Sequence, residues 1–241
     1  MKTMIITGAS SGIGEAMAYH FANDSYRLLL TCCHSGDRLA HIQQDLIKQG
    51  VDCITCIGDI SDYTFVSHLV QTAMEHWGHI DVLINNAGIS YVGLLTDMTK
   101  EDWDHIIATN LTSVFNTCRQ VVPHMVSEKN GAILNISSVW GDVGASCEVA
   151  YSATKGGINS LTKALAKELA PSNIQVNAIS CGMVDTPMNS CFTNEDIAAI
   201  QEEIPIGRMA LPKEVAQMAG QLLHSPAYLT GQIIRFDGGW I

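Results

Sequence analysis

Apolar residues in this chain come first in short unbroken runs and then at every third or fourth position, and the two patterns take turns from one end to the other. A run without polar alternation is a strand buried on both faces, whereas recurrence at three and four is the stripe of a helix laid against it. Thr3–Thr7, Leu28–Cys32, Val51–Ile57, Val82–Asn85, Ala132–Ser137, Ile174–Ile179 and Gln232–Phe236 read as strands. Between them, Gly12–Asn23, Arg38–Gln49, Tyr63–Trp77, Lys100–Val126, Val149–Ala170 and Lys213–His224 read as helices, the first with Ile13, Met17 and Phe21 on one stripe. Gly50 and Gly78 close two of them and Pro171 stops a third. The alternation predicts an α/β fold: a doubly wound, seven-stranded parallel sheet, Rossmann-like, with right-handed crossovers. No linker rich in Pro, Gly or Ser divides the chain, so its 241 residues are expected to form a single domain.

Composition adjusts this picture mainly by exclusion. A content of 47% hydrophobic and 15% charged residues is that of an ordinary globular protein. The net charge of −11, with 13 scattered Lys and Arg, argues against nucleic acid as a partner, because phosphate binding needs a clustered basic face. No apolar segment approaches the ~20 residues that cross a bilayer. The first strand begins too early to leave room for a signal peptide, so no membrane partner and a cytoplasmic location are expected. Eight cysteines invite a disulfide or metal reading, yet Cys53 and Cys56 share a strand and point to opposite faces, as buried reduced thiols would. His76 and His79 straddle a helix end with no third ligand near, and no metal is expected.

Candidate chemistry begins at the turn after the first strand. Thr7-Gly8-Ala9-Ser10-Ser11-Gly12-Ile13-Gly14 joins that strand directly to the first helix. Gly8 suits a turn that other residues resist, Gly12 lets backbone approach a pyrophosphate, and Gly14 lets helix and strand pack closely. The helix N-terminus adds free N–H groups and a partial positive charge. Gly8, Ser10, Ser11, Gly12, Ile13 and Gly14 are therefore the candidate phosphate cradle of a dinucleotide. The spacing is Gly-x-x-x-Gly-x-Gly rather than Gly-x-Gly-x-x-Gly, and its position right after the strand carries the reading. An acid at the end of the second strand would grip the adenosine ribose and repel a 2′-phosphate. Leu30-Thr31-Cys32-Cys33-His34-Ser35-Gly36-Asp37-Arg38 has no acid at the strand end, and His34, Ser35 and Arg38 are candidate phosphate ligands. NADP(H) is therefore expected over NAD(H), with Asp37 weighing against, and Arg38 can alternatively open a solvated helix face.

Tyr151 and Lys155 stand four residues apart in a segment read as helix, and so share one face. An ammonium beside a phenol favours the phenolate and should bring the phenol pKa down from about 10 toward working pH. Such a phenol can give a proton to a carbonyl oxygen or take one from an alcohol. Alone, Tyr-x-x-x-Lys is a common helical pair.

Together with Asn85-Asn86-Ala87-Gly88, Asn110, and Ser138 thirteen residues before Tyr151, these motifs resemble those of the short-chain dehydrogenase/reductase family over the whole chain. The resemblance implies a catalytic set of Asn110, Ser138, Tyr151 and Lys155. Tyr151 would be the general acid/base, Ser138 would hold the carbonyl oxygen, and Lys155 would lower the Tyr151 pKa and hold the nicotinamide ribose. Asn110 would keep a water against Lys155. The resemblance further implies Asp59 with Ile60 at the adenine, and Asn86, Ala87 and Gly88 along the adenosine-ribose side. Gly182, Val184 and Thr186 would lie by the nicotinamide, with Thr186 on the carboxamide. From the residues alone, Asn110 can equally cap or kink its helix, Asp59 can be a turn residue, and Asn85 and Asn86 can serve loop backbone. Cys181-Gly182 stands where the family has Pro-Gly. A homotetramer is also implied, built on two long helices whose apolar residues (Val114, Val121, Ile158, Leu165) cover more than one stripe.

Two likenesses bear on the substrate. Ile204-Pro205-Ile206-Gly207-Arg208, the run Leu211 to Ala216, and the ending Thr230-Gly231-Gln232 to Asp237-Gly238-Gly239 resemble the 3-oxoacyl-acyl-carrier-protein reductases. The stretch Ser137 to Tyr151 with Gly238-Gly239-Trp240 is similar to the elongation factor P 5-aminopentanone reductases, whose ketone sits on a protein side chain and carries an amine. Ser138 and Trp140, an acidic wall of Asp142 and Glu148, and Met188 are the candidate substrate contacts. An acyl carrier protein, being acidic, would want a basic rim instead, for which Arg119 and Lys129 are candidates. The acyl-carrier reading is placed first by a small margin. Met188 to Met209 breaks the alternation and is expected to form a helical lid over the substrate. A reading of another class is a catalytically silent sensor of NADP(H), which the fold alone permits.

Overall fold

The computed structural model describes residues 1–22, 24 and 26–241. Seven strands form one sheet: β1 (Thr3–Thr7), β2 (Arg27–Cys32), β3 (Cys53–Ile57), β4 (Val82–Asn85), β5 (Gly131–Ser138), β6 (Ile174–Cys181) and β7 (Ile233–Phe236). All pairs are parallel, in the order β3-β2-β1-β4-β5-β6-β7. The covering helices are α1 (Gly12–Ala22), α2 (Gly36–Lys48), α3 (Tyr63–Trp77), α4 (Lys100–Ile107), α5 (Ser113–Glu128), α6 (Trp140–Val143), α7 (Val149–Leu169), α8 (Asn194–Glu203) and α9 (Pro212–Leu223). Asn23, placed by the sequence pattern at the end of the first helix, lies outside the described residues.

Alternate residues of β1 serve opposite layers. Met4 and Ile6 pack with Met17 and Phe21 of α1 and Val215 and Ala219 of α9. Ile5 packs with Val66 and Leu69 of α3, Val121 of α5 and Ile158 of α7. All three strand residues are fully buried, each contributing about 1.5–3 kcal/mol by leaving water. Cys53 joins the first layer and Cys56 packs against the second, so the two thiols diverge as the strand period requires, and both are free.

Two local features depart from the sequence pattern. The long helix expected over 100–126 is interrupted by a π-helical turn at Ala108–Thr112. A π turn holds an extra residue and swells outward. Asn110 inside it is fully buried, accepting at Oδ1 from the Ile89 N–H (2.8 Å) and donating from Nδ2 to the Ile89 carbonyl (2.8 Å). The second is α6, a single turn begun by the Asp142 and Val143 N–H groups returning to the Val139 carbonyl. A Cβ on Gly141 would lie 2.6 Å from the Lys155 carbonyl carbon, so glycine is what lets α6 rest on α7. Within the expected lid, α8 starts with Thr193 and Asp196 capping each other's backbone N–H.

Candidate active site

The strand order reverses between β1 and β4, and a crevice opens beyond their carboxyl ends. Thr7 Oγ1 donates to the Ile84 carbonyl (3.3 Å) and accepts from the N–H groups of Asn86 (2.9 Å) and Ala87 (3.0 Å). The Asn86 amide in turn donates to the carbonyls of Thr7 (2.9 Å) and Gly8 (3.1 Å). Asn86 thus serves loop backbone and lines the crevice as well. Gly8 (φ 65°) and Gly12 (φ 55°) adopt the left-handed conformation that favours glycine. Gly14 does not line the crevice; a Cβ there would lie 2.2 Å from the Gly8 carbonyl oxygen, so it serves by packing. Ser10, Ser11, Gly12 and Ile13 line the resulting hollow at the N-terminus of α1, and these residues fit a pyrophosphate.

A cleft of about 980 Å³ joins this cradle to two ends. At one end stand Cys33, His34, Ser35, Asp59 and Ile60; at the other, Ser138, Tyr151, Lys155, Gly182, Val184 and Thr186, with Ala87 and Gly88 also lining it. Arg38 is a correction. Its guanidinium donates to Glu15 at 2.7 Å on the surface and is not part of the cleft wall, because a carboxylate on the neighbouring helix claims it first. Asp59 Oδ1 accepts from the Ser61 N–H (2.8 Å), as a turn residue does, while still lining the cleft.

Ser138 ends β5 in register with Cys181 of β6, and its Oγ accepts from the Trp140 N–H at 3.2 Å. Tyr151 and Lys155 follow on successive turns of α7, with Lys155 Nζ 5.5 Å from the phenol ring centroid. The Tyr151 hydroxyl is hydrogen-bonded to Ser138. Lys155 is buried and donates to the Ile136 carbonyl at 2.8 Å. Asn110 lies behind the wall, donating to Thr154 Oγ1 at 3.3 Å. A Cβ on Gly88 would come within 3.4 Å of Asn110 Oδ1 and 3.7 Å of Lys155 Nζ.

The electrostatics reverse one expectation. Burial pushes the Tyr151 phenol above its ordinary range, and the hydrogen bond with Ser138 offsets only part of that. Burial also pulls Lys155 down to about 8. Desolvation of the phenolate is the largest influence on Tyr151, and the lowering expected from Lys155 is not seen. Cys181 lines the cleft with its thiol pushed up to about 12 by burial, against an opposing pull from Lys155.

Asp142 is a second correction. Its Oδ1 accepts from Asn159 Nδ2 (2.9 Å) and its Oδ2 from Ser180 Oγ (2.9 Å), with the Arg235 guanidinium 3.8 Å away. Ser137 Oγ donates to Asn159 Oδ1 (2.6 Å), which ties this network to β5. Residues two apart on a helix point to nearly opposite sides, so α6 aims Trp140 into the cleft and Asp142 into the scaffold. Glu148 and Met188 line the cleft as expected. Neither candidate for a basic rim lines it. Lys129 caps α5 just before β5 begins, at the opposite end of that strand from Ser138.

Phe192, Ile200 and Glu203 line the cleft from within the segment expected as the lid, where the sequence singled out only Met188. Trp240 was visible only as part of a likeness. Its ring meets Trp140 edge to face, with centroids 5.0 Å apart, and its Nε1 donates to Glu203 Oε2 at 3.3 Å. Glu148 takes a hydrogen bond from the Trp140 side chain, and burial raises its carboxyl pKa.

A dinucleotide cradle opening onto a serine, a tyrosine and a lysine defines a class of nicotinamide-dependent dehydrogenase. Residues 2–196 match the family described as short chain dehydrogenase; the chain belongs to that family and is an oxidoreductase. It is 40% identical over 241 residues to the uncharacterized oxidoreductase YmfI of Bacillus subtilis, covering 99% of this chain and 98% of that one. It is 38% identical over 247 residues to the 3-oxoacyl-[acyl-carrier-protein] reductase FabG of Thermotoga maritima, covering 100% and 98%. A crystal structure of an actinorhodin polyketide ketoreductase variant with NADPH is similar throughout, with a TM-score of 0.94, 33% identity, and coverage of 99% and 97%.

Proposed function

We propose that this protein is an NADPH-dependent carbonyl reductase that converts a ketone to a secondary alcohol. The observation that carries the reading is the convergence of Ser138, Tyr151 and buried Lys155 at one end of the cleft whose middle is the glycine cradle. NADPH, when bound, supplies the hydride. Ser138 and Tyr151, hydrogen-bonded to each other, offer two hydroxyls to one carbonyl oxygen. Tyr151 gives its proton to that oxygen, and its raised pKa keeps it protonated at neutral pH, loaded for reduction. Lys155, with a pKa of about 8, is still cationic at pH 7 and stabilises the phenolate left behind. Asn110 is the residue that would keep a water behind Lys155.

The choice of NADPH rests on His34 and Ser35 at the adenosine end and on the absence of an acid at the end of β2. The ketoreductase relative solved with NADPH supports it. Turnover compared on both cofactors tests this, and a tenfold preference for NADH would refute it.

For the substrate, the wall of the cleft favours a ketone that carries an amine, such as the 5-aminopentanone group on elongation factor P. Glu148, Glu203, Trp140 and Trp240 line the cleft together, and Lys155 is the only Lys or Arg among the described residues lining it. Carboxylates beside indole faces suit an ammonium. The second reading, a 3-oxoacyl group on acyl carrier protein, is supported by the FabG relatives at 38% and 34% identity. NADPH oxidation with amino-ketone analogues alongside acetoacetyl thioesters decides between them. Reduction of thioesters alone would restore the second reading, and NADPH binding without reduction of any carbonyl would favour a sensor.

A further inference from the structure

Trp240, the penultimate residue, is held from several sides. Behind it the chain end folds onto Asp237, whose Oδ1 accepts from the Gly239 N–H (3.0 Å) and Oδ2 from the Ile241 N–H (3.0 Å). The Arg235 guanidinium donates to the Ile241 carbonyl. Gly238 has φ 68°, and a Cβ on it would lie 2.7 Å from Ile206 Cγ2 and 3.0 Å from Ile204 Cγ2, so the segment after α8 presses on this tail. In front, the indole reaches Glu203, the last residue of α8, and Trp140, two residues after Ser138. One side chain thus joins the chain end, the helix beside the cleft and the exit of the catalytic strand.

The helix depends on such contacts. None of the residues of α8 is buried, so it has no core anchor of its own, and elements of that kind open at low cost. Its inner side still forms cleft wall through Ile200 and Glu203. We infer that Trp240 is a specificity-determining residue: by latching α8 to Trp140 it sets the room at the substrate end and so the bulk of ketone admitted. The kinetic side of this inference rests on the carbonyl-reductase reading; the latch itself does not.

The test compares Trp240→Ala, Trp240→Phe and Glu203→Ala with the unchanged protein on a small ketone and an aryl ketone of the same charge. Trp240→Ala should raise the ratio of kcat/KM for the aryl over the small ketone by about tenfold or more, with KM for the small ketone rising. Trp240→Phe, which keeps a ring but no N–H, should fall between, and adding Glu203→Ala to it should change little further, because the pair acts as a unit. Independently of turnover, backbone hydrogen exchange over residues 194–203 should quicken about fivefold in Trp240→Ala. An unchanged kcat/KM ratio, or unchanged exchange in α8, would overturn the inference. If the unchanged protein reduces no ketone, the reductase reading fails and the exchange measurement alone decides the latch.

Discussion

Replacing Lys155 by Met should make the protein more stable and nearly inactive at once. Lys155 is 4% exposed, and its burial lowers the pKa from 10.5 to about 8. At about 1.4 kcal/mol per pH unit, that gap corresponds to a penalty of about 3 kcal/mol for keeping the charge inside the fold. Methionine removes the charge while filling similar space, but forfeits the bond to the Ile136 carbonyl, worth about 1 kcal/mol net. The variant should therefore gain about 2 kcal/mol at pH 7, a rise in Tm of about 4–8 °C. The sign with pH follows from the depressed value. Below about 8 both folded and unfolded chains hold the proton, and the penalty is complete. Between about 8 and 10.5 the folded chain releases it first, so the penalty shrinks, and above 10.5 it is gone. Urea unfolding of both proteins without cofactor at pH 7 and pH 10 measures this, and the advantage of the variant should have nearly vanished at the higher pH. Ketone reduction should fall by about 10² or more. A variant no more stable than its parent at pH 7, or a margin that ignores pH, would refute the reasoning.

Tyr151→Phe should lower ketone reduction by about 10²–10⁴ while NADPH binding, followed by its fluorescence, stays within about twofold. Reduction by the unchanged protein should be flat across neutral pH and decline as pH rises through about 8, where Lys155 loses its charge; a pH–rate profile checks this. Gly14→Ala drives a methyl to 2.2 Å from the Gly8 carbonyl oxygen, and should cost about 1–3 kcal/mol in urea unfolding and weaken NADPH binding. Asp142→Ala leaves Asn159 and Ser180 without their acceptor and should cost about 1–3 kcal/mol. Because Asp142 faces the scaffold, the preference between amine-bearing and neutral ketones should not move with it.

Strands and helices were legible because period is a local property. Each strand of the sheet and each long helix leaves its own pattern of apolar positions, so even the divergence of Cys53 and Cys56 follows from counting residues. The features that escaped are short or distant. The four residues of α6 are too few to show a period, yet that turn decides that Trp140 enters the cleft and Asp142 leaves it. Arg38 looked free for a phosphate because Glu15 lies 23 positions earlier, and nothing local announces their meeting. Trp240 and Glu203, 37 positions apart, pose the same problem. The π turn at Asn110 needed Ile89 as well, since the side chain sits there to hold another segment's backbone.

The reversal at Tyr151 has the same origin and carries a consequence for the chemistry. Spacing along a helix delivers Tyr151 and Lys155 to one another, and it says nothing about what surrounds them. The surroundings are supplied by β5, β6 and α6, which remove water from both groups, and desolvation acts on the phenol and the ammonium in opposite directions. The two pKa values therefore move apart, in the order opposite to the one their mutual charge alone would set: the phenol holds its proton more firmly and the amine less so. A donor that keeps its proton until a carbonyl oxygen gains charge, next to an amine that is still cationic at pH 7, is suited to reduction rather than to alcohol oxidation at neutral pH. Oxidation, which must start from the phenolate, should accordingly need a markedly higher pH than reduction, and rates measured in both directions over one pH series would expose the opposite ordering if burial does not govern the pair.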